Sequence, residues 1–253
     1  MRRALIELLA KPVLLISRAG AFLSTGLVGA MRREQRDRAI RAYWDQPAQP
    51  SGTLYEWESE FYTKHLTSGS QLLLVGCGGG RDLVGLTRHG FRVDGVDIAA
   101  GVVAACRERL ASLGITARLY AARVEDVRFE SLYDAAVFTW QSFGLVPERD
   151  ERIRTLQALR GALRPGGRIL LTYRPAATAS RGARLAGWIA RLTLSDWSPD
   201  RSDSIELSRA DARLQLYLEH RFAPAEIVAE AQAAGLRVHW HELGEMARLV
   251  LEA

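Results

Sequence analysis

Cysteine is scarce in this sequence: Cys77 and Cys106 are the only two in 253 residues. Their spacing matches no zinc motif and two thiols cannot build a disulfide framework, so no metal centre is expected and a reducing, cytoplasmic setting is. His239 and His241 share a strand face but lack a third ligand at a telling spacing. Lysine is as scarce, with only Lys11 and Lys64, so arginine carries the net charge of +5. The arginines are scattered apart from Arg32, Arg33, Arg36, Arg38 and Arg41, which alternate with Glu34 and Asp37. That pattern reads as a solvated helix face, with attraction to anionic headgroups as the sharper alternative, and gives no reason to expect a nucleic-acid partner. Repeats, low-complexity tracts and long polar linkers are absent, so one catalytic core and no second independent domain are expected.

What is present is an ordinary globular balance, 48% hydrophobic and 25% charged, with length for one large α/β domain plus an extension. Val13 to Met31 is mostly apolar between Lys11 and Arg32–Arg33, about the length that spans a bilayer. Arg18 interrupts it and Gly20, Gly26 and Gly29 weaken it as a helix. It reads first as a lid or packing helix, then as a membrane-surface segment, and last as a true span or signal. Arg32–Trp44 reads as a helix, and Thr53 with Glu56 as a capping box opening another that runs to Leu66.

From Leu72 a regular alternation begins. Strands are expected at Leu72–Val75, Phe91–Val96, Thr116–Ala121, Tyr133–Phe138 and, after a Pro165-Gly166-Gly167 turn, Arg168–Tyr173. Helices are expected at Asp82–His89, Ala99–Leu113 and Glu148–Leu163. Such alternation argues for a parallel sheet covered on both faces. Beyond Arg174, Ala183–Leu192 reads as a short helix, and Ser204–Ser208 with Leu214–His220 as a hairpin or cap. Ala225–Ala234 is a last helix, before the closely spaced strands Leu236–His241 and Arg248–Leu251. Their short connection suits an antiparallel pair.

The chemistry lies in Leu72-Leu73-Leu74-Val75-Gly76-Cys77-Gly78-Gly79-Gly80-Arg81-Asp82. A strand runs into a glycine-rich turn and a helix begins, which places a ligand outside the carboxyl end of the first strand. Seventeen residues after Gly80, Asp97 ends the second strand, where a carboxylate accepts hydrogen bonds from ribose hydroxyls and Ile98 offers an apolar face to adenine. A dinucleotide fingerprint would need glycine where Arg81 stands. Gly76, Gly78 and Gly80 therefore fit a nucleoside without a pyrophosphate better.

From about Gln71 to Ala253 the chain resembles the class I, Rossmann-like S-adenosylmethionine-dependent methyltransferases, especially those acting on small molecules. The resemblance rests on the Gly-Gly-Gly-Arg-Asp end of the loop, on Leu163-Arg164-Pro165-Gly166-Gly167-Arg168, and on Tyr217-x-x-His220-x-Phe222-x-Pro224-x-Glu226 before Ala234-Gly235-Leu236. It implies a seven-stranded, mostly parallel sheet in the order 3-2-1-4-5-7-6, last strand antiparallel, with helices on both faces. An N-terminal helical extension (1–50) then precedes a methyltransferase domain (51–253) carrying a cap insertion at about 175–220. It also implies S-adenosyl-L-methionine as cofactor, with Gly76, Cys77, Gly78, Gly80 and Arg81 around its methionine part, Asp97 on the ribose and Ile98 on adenine. Val124 and Glu125 fall at the adenine edge, and Thr139 and Trp140 where cofactor and acceptor meet. Two positions depart from the family: Leu74 stands where an acid is usual and Arg123 where aspartate is frequent.

The cofactor brings an activated methyl group, so the protein has mainly to align the acceptor and exclude water. Tyr43, Tyr55, Trp57, Gln141, Phe143 and Arg174 are the candidate substrate residues. His65, His220 and His241 are candidate bases for an oxygen or thiol acceptor, and His220 is the one carried forward. Methyl transfer to a small molecule leads. A lipid or quinone-like acceptor, with peripheral membrane contact through residues 1–31, is one alternative, and a degenerate cofactor-binding module is the other.

Overall fold

The computed structural model describes residues 19–45, 53–130, 132–176, 180–210 and 212–253. They fall into two compact units, one drawn from Trp44–Ala176 and Arg221–Ala253, the other from Met1–Tyr43 and Ala177–His220. Val13 to Arg18 of the apolar N-terminal stretch, and Pro47 and Pro50 before the capping box, lie outside the described residues.

The larger unit is built on seven strands: β1 (Gln71–Val75), β2 (Arg92–Asp97), β3 (Leu119–Ala121), β4 (Tyr133–Phe138), β5 (Leu163–Tyr173), β8 (Arg237–Glu242) and β9 (Ala247–Glu252). Between β5 and β8 in sequence come β6 (Asp203–Ala210) and β7 (Arg213–His220) of the other unit. The sheet order is β3-β2-β1-β4-β5-β9-β8. Counting the hairpin apart, this is the order that the resemblance implies. β1 to β5 are parallel, and β9 runs antiparallel to both neighbours.

β1 shows why both faces are buried. Leu73 and Val75 enter one apolar cluster, with Leu156 and Leu159 of α6 (Arg149–Ala162) and Ile227 and Ala231 of α8 (Pro224–Ala233). Leu72 and Leu74 enter the other, with Phe61 and Tyr62 of α3 (Glu56–His65), Leu83 and Leu86 of α4 (Arg81–Arg88), and Cys106 and Leu110 of α5 (Ala100–Ser112). Alternate side chains of a strand point to opposite faces, so a continuous apolar run is what a two-sided strand requires.

Three expectations shift. The α3 cap is Tyr55 rather than Thr53, because Glu58 and not Glu56 takes the free backbone N–H, Tyr55 N to Glu58 Oε2 being 2.8 Å. β3 is only Leu119–Ala121, since β2 offers it just Gly95–Asp97. β5 begins at Leu163: Tyr133 pairs Leu163 and Ala135 pairs Arg168, so Pro165-Gly166-Gly167 is a bulge within the strand rather than a turn ahead of it.

The smaller unit holds a helix over 19–27 (α1), α2 (Arg33–Trp44), α7 (Arg181–Leu192) and the β6–β7 hairpin, paired from Asp203↔His220 to Ala210↔Arg213. α1 continues through a tight turn at Val28–Ala30 and packs on α7. At Gly29 a β-carbon would lie 1.9 Å from the Ala186 carbonyl oxygen, and at Gly26 it would lie 2.7 Å from Leu185. Only glycine permits that approach. Arg36, expected on a solvated face, is wholly buried, with Nε 2.7 Å from Asp37 Oδ1 and its guanidinium 4.9 Å from the Trp197 ring. Arg38, 2.7 Å from Glu34, does face solvent as expected. Among the described residues no helix is long and apolar enough to cross a membrane.

Candidate cofactor site

The site grows from the ends of β1, β2 and β4. After Val75 the chain turns through Gly76, Gly78 and Gly80 at φ 74°, 47° and 84°, values that L side chains resist. The loop is anchored from below: Gly76 N donates to Val96 O at 2.9 Å and Gly80 N to Cys77 O at 3.0 Å. From β4, Thr139 Oγ1 donates to Gly76 O at 2.7 Å and Ser142 Oγ to Val75 O at 3.2 Å. Behind the loop, Cys77 is buried and its thiol hydrogen-bonds to Cys106, an interaction that pushes the Cys77 thiol well up. A β-carbon on Gly80 would sit 2.8 Å from Cys106 Sγ, whereas one on Gly78 would meet nothing within 4 Å. The loop is thus packed on its protein side and open at Gly78.

Asp97 fastens the loop to β2. Its Oδ2 accepts the Gly78 N–H at 2.9 Å and its Oδ1 the Ala99 N–H at 3.0 Å. Burial raises its pKa, opposed by those backbone donors, and the Asp45 carboxylate adds to the rise. Asp45 in turn accepts the Gly101 N–H at 2.6 Å, at the start of α5. Ile98 is half-buried beside Asp97. Val124 is buried, and Glu125 accepts from Thr155 Oγ1 at 3.3 Å. Of the two departures, Leu74 is a fully buried core residue, and Arg123 Nη1 lies 3.7 Å from Glu151 Oε2.

Past β4, Trp140 and Gln141 both hold positive φ, 32° and 52°, a strained pair for residues with β-carbons. Gln141 N donates to Thr172 Oγ1 at 2.9 Å, and its side-chain Oε1 is buried without a protein donor. Trp140 is 42% exposed. Its ring centroid lies 5.4 Å from Tyr55 and 6.4 Å from Trp57, and the Arg81 guanidinium lies 5.1 Å from the Tyr55 ring and 5.8 Å from Trp140. Arg81 is paired with Glu58 and Asp82. The structure therefore gathers Tyr55, Trp57, Trp140 and Arg81 into one cluster beside the loop.

Other candidates fall elsewhere. Phe143 is wholly buried, stacked on Phe222 at 5.4 Å and edge-on to Phe138 at 5.2 Å. It is core, with no surface for a substrate. His65 lies near the amino end of β5, where Arg168 Nη1 donates to His65 O at 3.0 Å, and its ring packs 4.7 Å from Trp240. That is the opposite end of the sheet from the loop. His241 Nε2 is 2.8 Å from the buried Tyr173 hydroxyl. Arg174 is exposed, its carbonyl accepting the Phe222 N–H at 3.1 Å. In the smaller unit the Tyr43 ring lies 5.5 Å from Tyr217. There too, buried His220 places Nδ1 2.8 Å from Asp203 Oδ1. Asp200, Asp203 and His220 cluster, yet backbone N–H groups of Ser202 and Asp200 already occupy the two carboxylates at 2.8 Å each, so the cluster is explained by its own turn.

Glu58, Asp82 and Asp45 were missed in the sequence. Asp82 follows the loop directly, and burial lifts its carboxyl to about 6 against the pull of Arg81. Glu58 is fully buried, a rare state for a carboxylate without a cation beside it. Three-residue spacing from Tyr55 was the available signal.

The donor set fits a cationic nucleoside. The Asp97 carboxylate, the buried acceptor Gln141 Oε1 and the open face at Gly78 supply acceptors and room at the carboxyl ends of β1, β2 and β4. Residues 72–167 match the family model described as a methyltransferase domain. A ubiquinone biosynthesis O-methyltransferase of Xanthomonas axonopodis pv. citri is 29% identical over 157 residues, 59% of this chain and 64% of that protein, so the chain covers less than two thirds of that relative. Among solved structures, an S-adenosylmethionine-dependent methyltransferase of Methanosarcina mazei aligns with TM-score 0.60 and 18% identity over 79% of this chain and 98% of that one. The CcbJ methyltransferase of Streptomyces caelestis aligns with TM-score 0.60 and 17% identity over 87% and 97%. Loop, acidic strand end and strand order converge with the match: residues 72–167 resemble a methyltransferase domain, set in a fold shared with S-adenosylmethionine-dependent methyltransferases of known structure.

Proposed function

We propose that the protein transfers the methyl group of S-adenosylmethionine to a small-molecule acceptor. The observation that carries this reading is the loop held open at Gly78 and tied by its own N–H to the Asp97 carboxylate. When bound, the cofactor supplies a methyl group on a positively charged sulfur, which needs no protein nucleophile. The chain's own part is to bind, orient and dry the site. Asp97 keeps acceptor capacity for ribose hydroxyls beyond its two backbone donors. Ile98, Val124 and Glu125 would hold the cofactor's adenine end, and Gly76, Cys77, Gly78, Gly80 and Arg81 its methionine end. Thr139 and Trp140 would border cofactor and acceptor. Gln141 Oε1 would take a donor from either, which would satisfy a buried acceptor that is costly to leave alone. The Tyr55–Trp57–Trp140 cluster would exclude water and present ring faces to the acceptor.

For a hydroxyl acceptor His220 is the proposed base. Asp203 fixes the orientation of its ring by accepting from Nδ1 at 2.8 Å. A lipid or quinone-like acceptor is the second reading, favoured by the activity named for the Xanthomonas relative.

Titration calorimetry with S-adenosylmethionine on the wild type and on Asp97→Ala tests the first reading. Micromolar binding that falls by at least about 100-fold in the variant is expected, the order of losing a buried charged acceptor and its hydrogen bonds. Absence of binding to folded wild-type protein would defeat it and leave a degenerate module, with Leu74 and Arg123 as the residues to explain.

A further inference from the structure

The smaller unit carries a feature that methyl transfer does not use. Where α1 crosses α7 at Gly26 and Gly29, both helices leave large apolar side chains uncovered. Phe22, Leu23 and Leu27 on α1 are 42%, 62% and 61% exposed, and Trp188, Leu192 and Leu194 on and just after α7 are 58%, 63% and 80% exposed. Isolated exposed leucines are ordinary, but six large apolar groups on two touching helices are not. Leu194 also holds φ at 51°, a conformation that costs a leucine energy and here holds it in solvent.

The charges around these groups are mostly basic, and the nearest acid past α7, Asp196, accepts the Arg33 backbone N–H at 2.8 Å. From Arg181 to Ser195 the sequence contains Arg181, Arg184 and Arg191 and no acidic residue, and all three arginines are exposed. From Lys11 to Arg33 there are four basic residues and again no acid. On α7 the exposed positions 181, 184, 188 and 191/192 repeat at three to four residues, so arginines and Trp188 share one helix stripe. Tryptophan flanked by arginine is the side-chain chemistry of a lipid–water interface: the indole sits at headgroup level while arginine stems lie along apolar surface and their heads reach phosphate.

We infer that the uncovered faces of α1 and α7 dock on an anionic lipid surface. The two helices lie in the interface with Trp188, Leu192, Leu194 and the α1 leucines among the acyl–headgroup boundary, and Arg181, Arg184 and Arg191 on phosphates. Apolar burial and electrostatic attraction act together in such binding, so neither alone suffices. The inference does not depend on the proposed methyl transfer, because every residue in it lies away from the glycine loop in sequence and in a separate compact unit.

Flotation of the full chain with vesicles tests it. The wild type is expected to float with phosphatidylcholine vesicles containing phosphatidylglycerol, to stay behind with phosphatidylcholine alone, and to be released by salt. Trp188→Ser/Leu192→Gln/Leu194→Gln and Arg181→Gln/Arg184→Gln/Arg191→Gln should each lower partitioning at least about tenfold, with calorimetric cofactor affinity unchanged. Leu194→Gly relieves a positive φ and cannot unfold the chain by strain, and should lower partitioning by a smaller factor. Equal partitioning of wild type and apolar variant, whether high or nil, overturns the inference. So does a wild type that stays behind but self-associates until the apolar residues are replaced, which would make this face a contact between two copies. Loss of flotation only on deleting residues 1–18, with the α7 variants unaffected, overturns it as well.

Discussion

Glycine does opposite work in the two units. In the loop after β1 it is there for its backbone: three positive φ values in five residues turn a strand into a helix and leave Gly78 open. Where α1 meets α7 it is there for its size, since Gly29 lets a helix come within contact of the Ala186 carbonyl. A turning glycine announces itself by its neighbours, a strand before and a helix after. A contact glycine looks in sequence like a flaw in a helix, which is how Gly26 and Gly29 read. The two units also differ inside. The larger is held by an apolar sheet core plus an enclosed ion pair, Arg152 Nη2 to Glu230 Oε1 at 2.6 Å, whereas the smaller combines the close helix crossing and a two-stranded hairpin with its own buried polar pairs, Asp203–His220 and Arg36–Asp37.

The largest effect that would sharpen this contrast is at that ion pair. Arg152→Leu strands a fully buried Glu230 and should destabilise the protein by about 3–5 kcal/mol in urea unfolding, with Arg152→Leu/Glu230→Leu recovering most of the loss. A loss below about 1 kcal/mol would break the idea that enclosed charge holds the larger unit. Next comes Gly29→Ala, whose methyl meets backbone rather than a yielding side chain. About 2–3 kcal/mol is expected, read as loss of hydrogen-exchange protection in α7 with cofactor affinity intact. Gly20→Ala on the same helix, with nothing within 4 Å, should instead be neutral or stabilising.

The smallest effect is pH-dependent. The Asp82 carboxyl is raised to about 6 by burial, so the folded state keeps its proton where the unfolded state has lost it. Stability from this group is full below about pH 4 and declines as pH rises through about 6, by something on the order of 2 kcal/mol. Asp82→Asn should flatten that limb when unfolding is followed between about pH 4 and 7.

Much of the fold was legible because strands and helices alternate regularly. Strand runs such as Leu72–Val75 and Tyr133–Phe138 are apolar on both faces and bounded by turns, and the loop with Asp97 carries its chemistry in short spacing. Phe143 was misplaced because proximity to the crevice in sequence does not say which way a side chain turns; it points inward to Phe138 and Phe222. Arg36 was misread because charge alternation cannot reveal that Asp37 and Trp197 would receive it indoors. The cluster of Tyr55, Trp140 and Arg81 joins residues up to 85 positions apart, and no local pattern encodes such a meeting.

The strained Trp140–Gln141 step sets durability against the role proposed for Gln141. Two adjacent residues in left-handed geometry each cost roughly 1–3 kcal/mol relative to relaxed backbone. Glycine at position 141 would release part of that and also delete a buried acceptor lacking a protein donor. Selection for heat resistance alone should therefore favour Gln141→Gly, and would remove the one side-chain acceptor on which the role proposed for Gln141 rests.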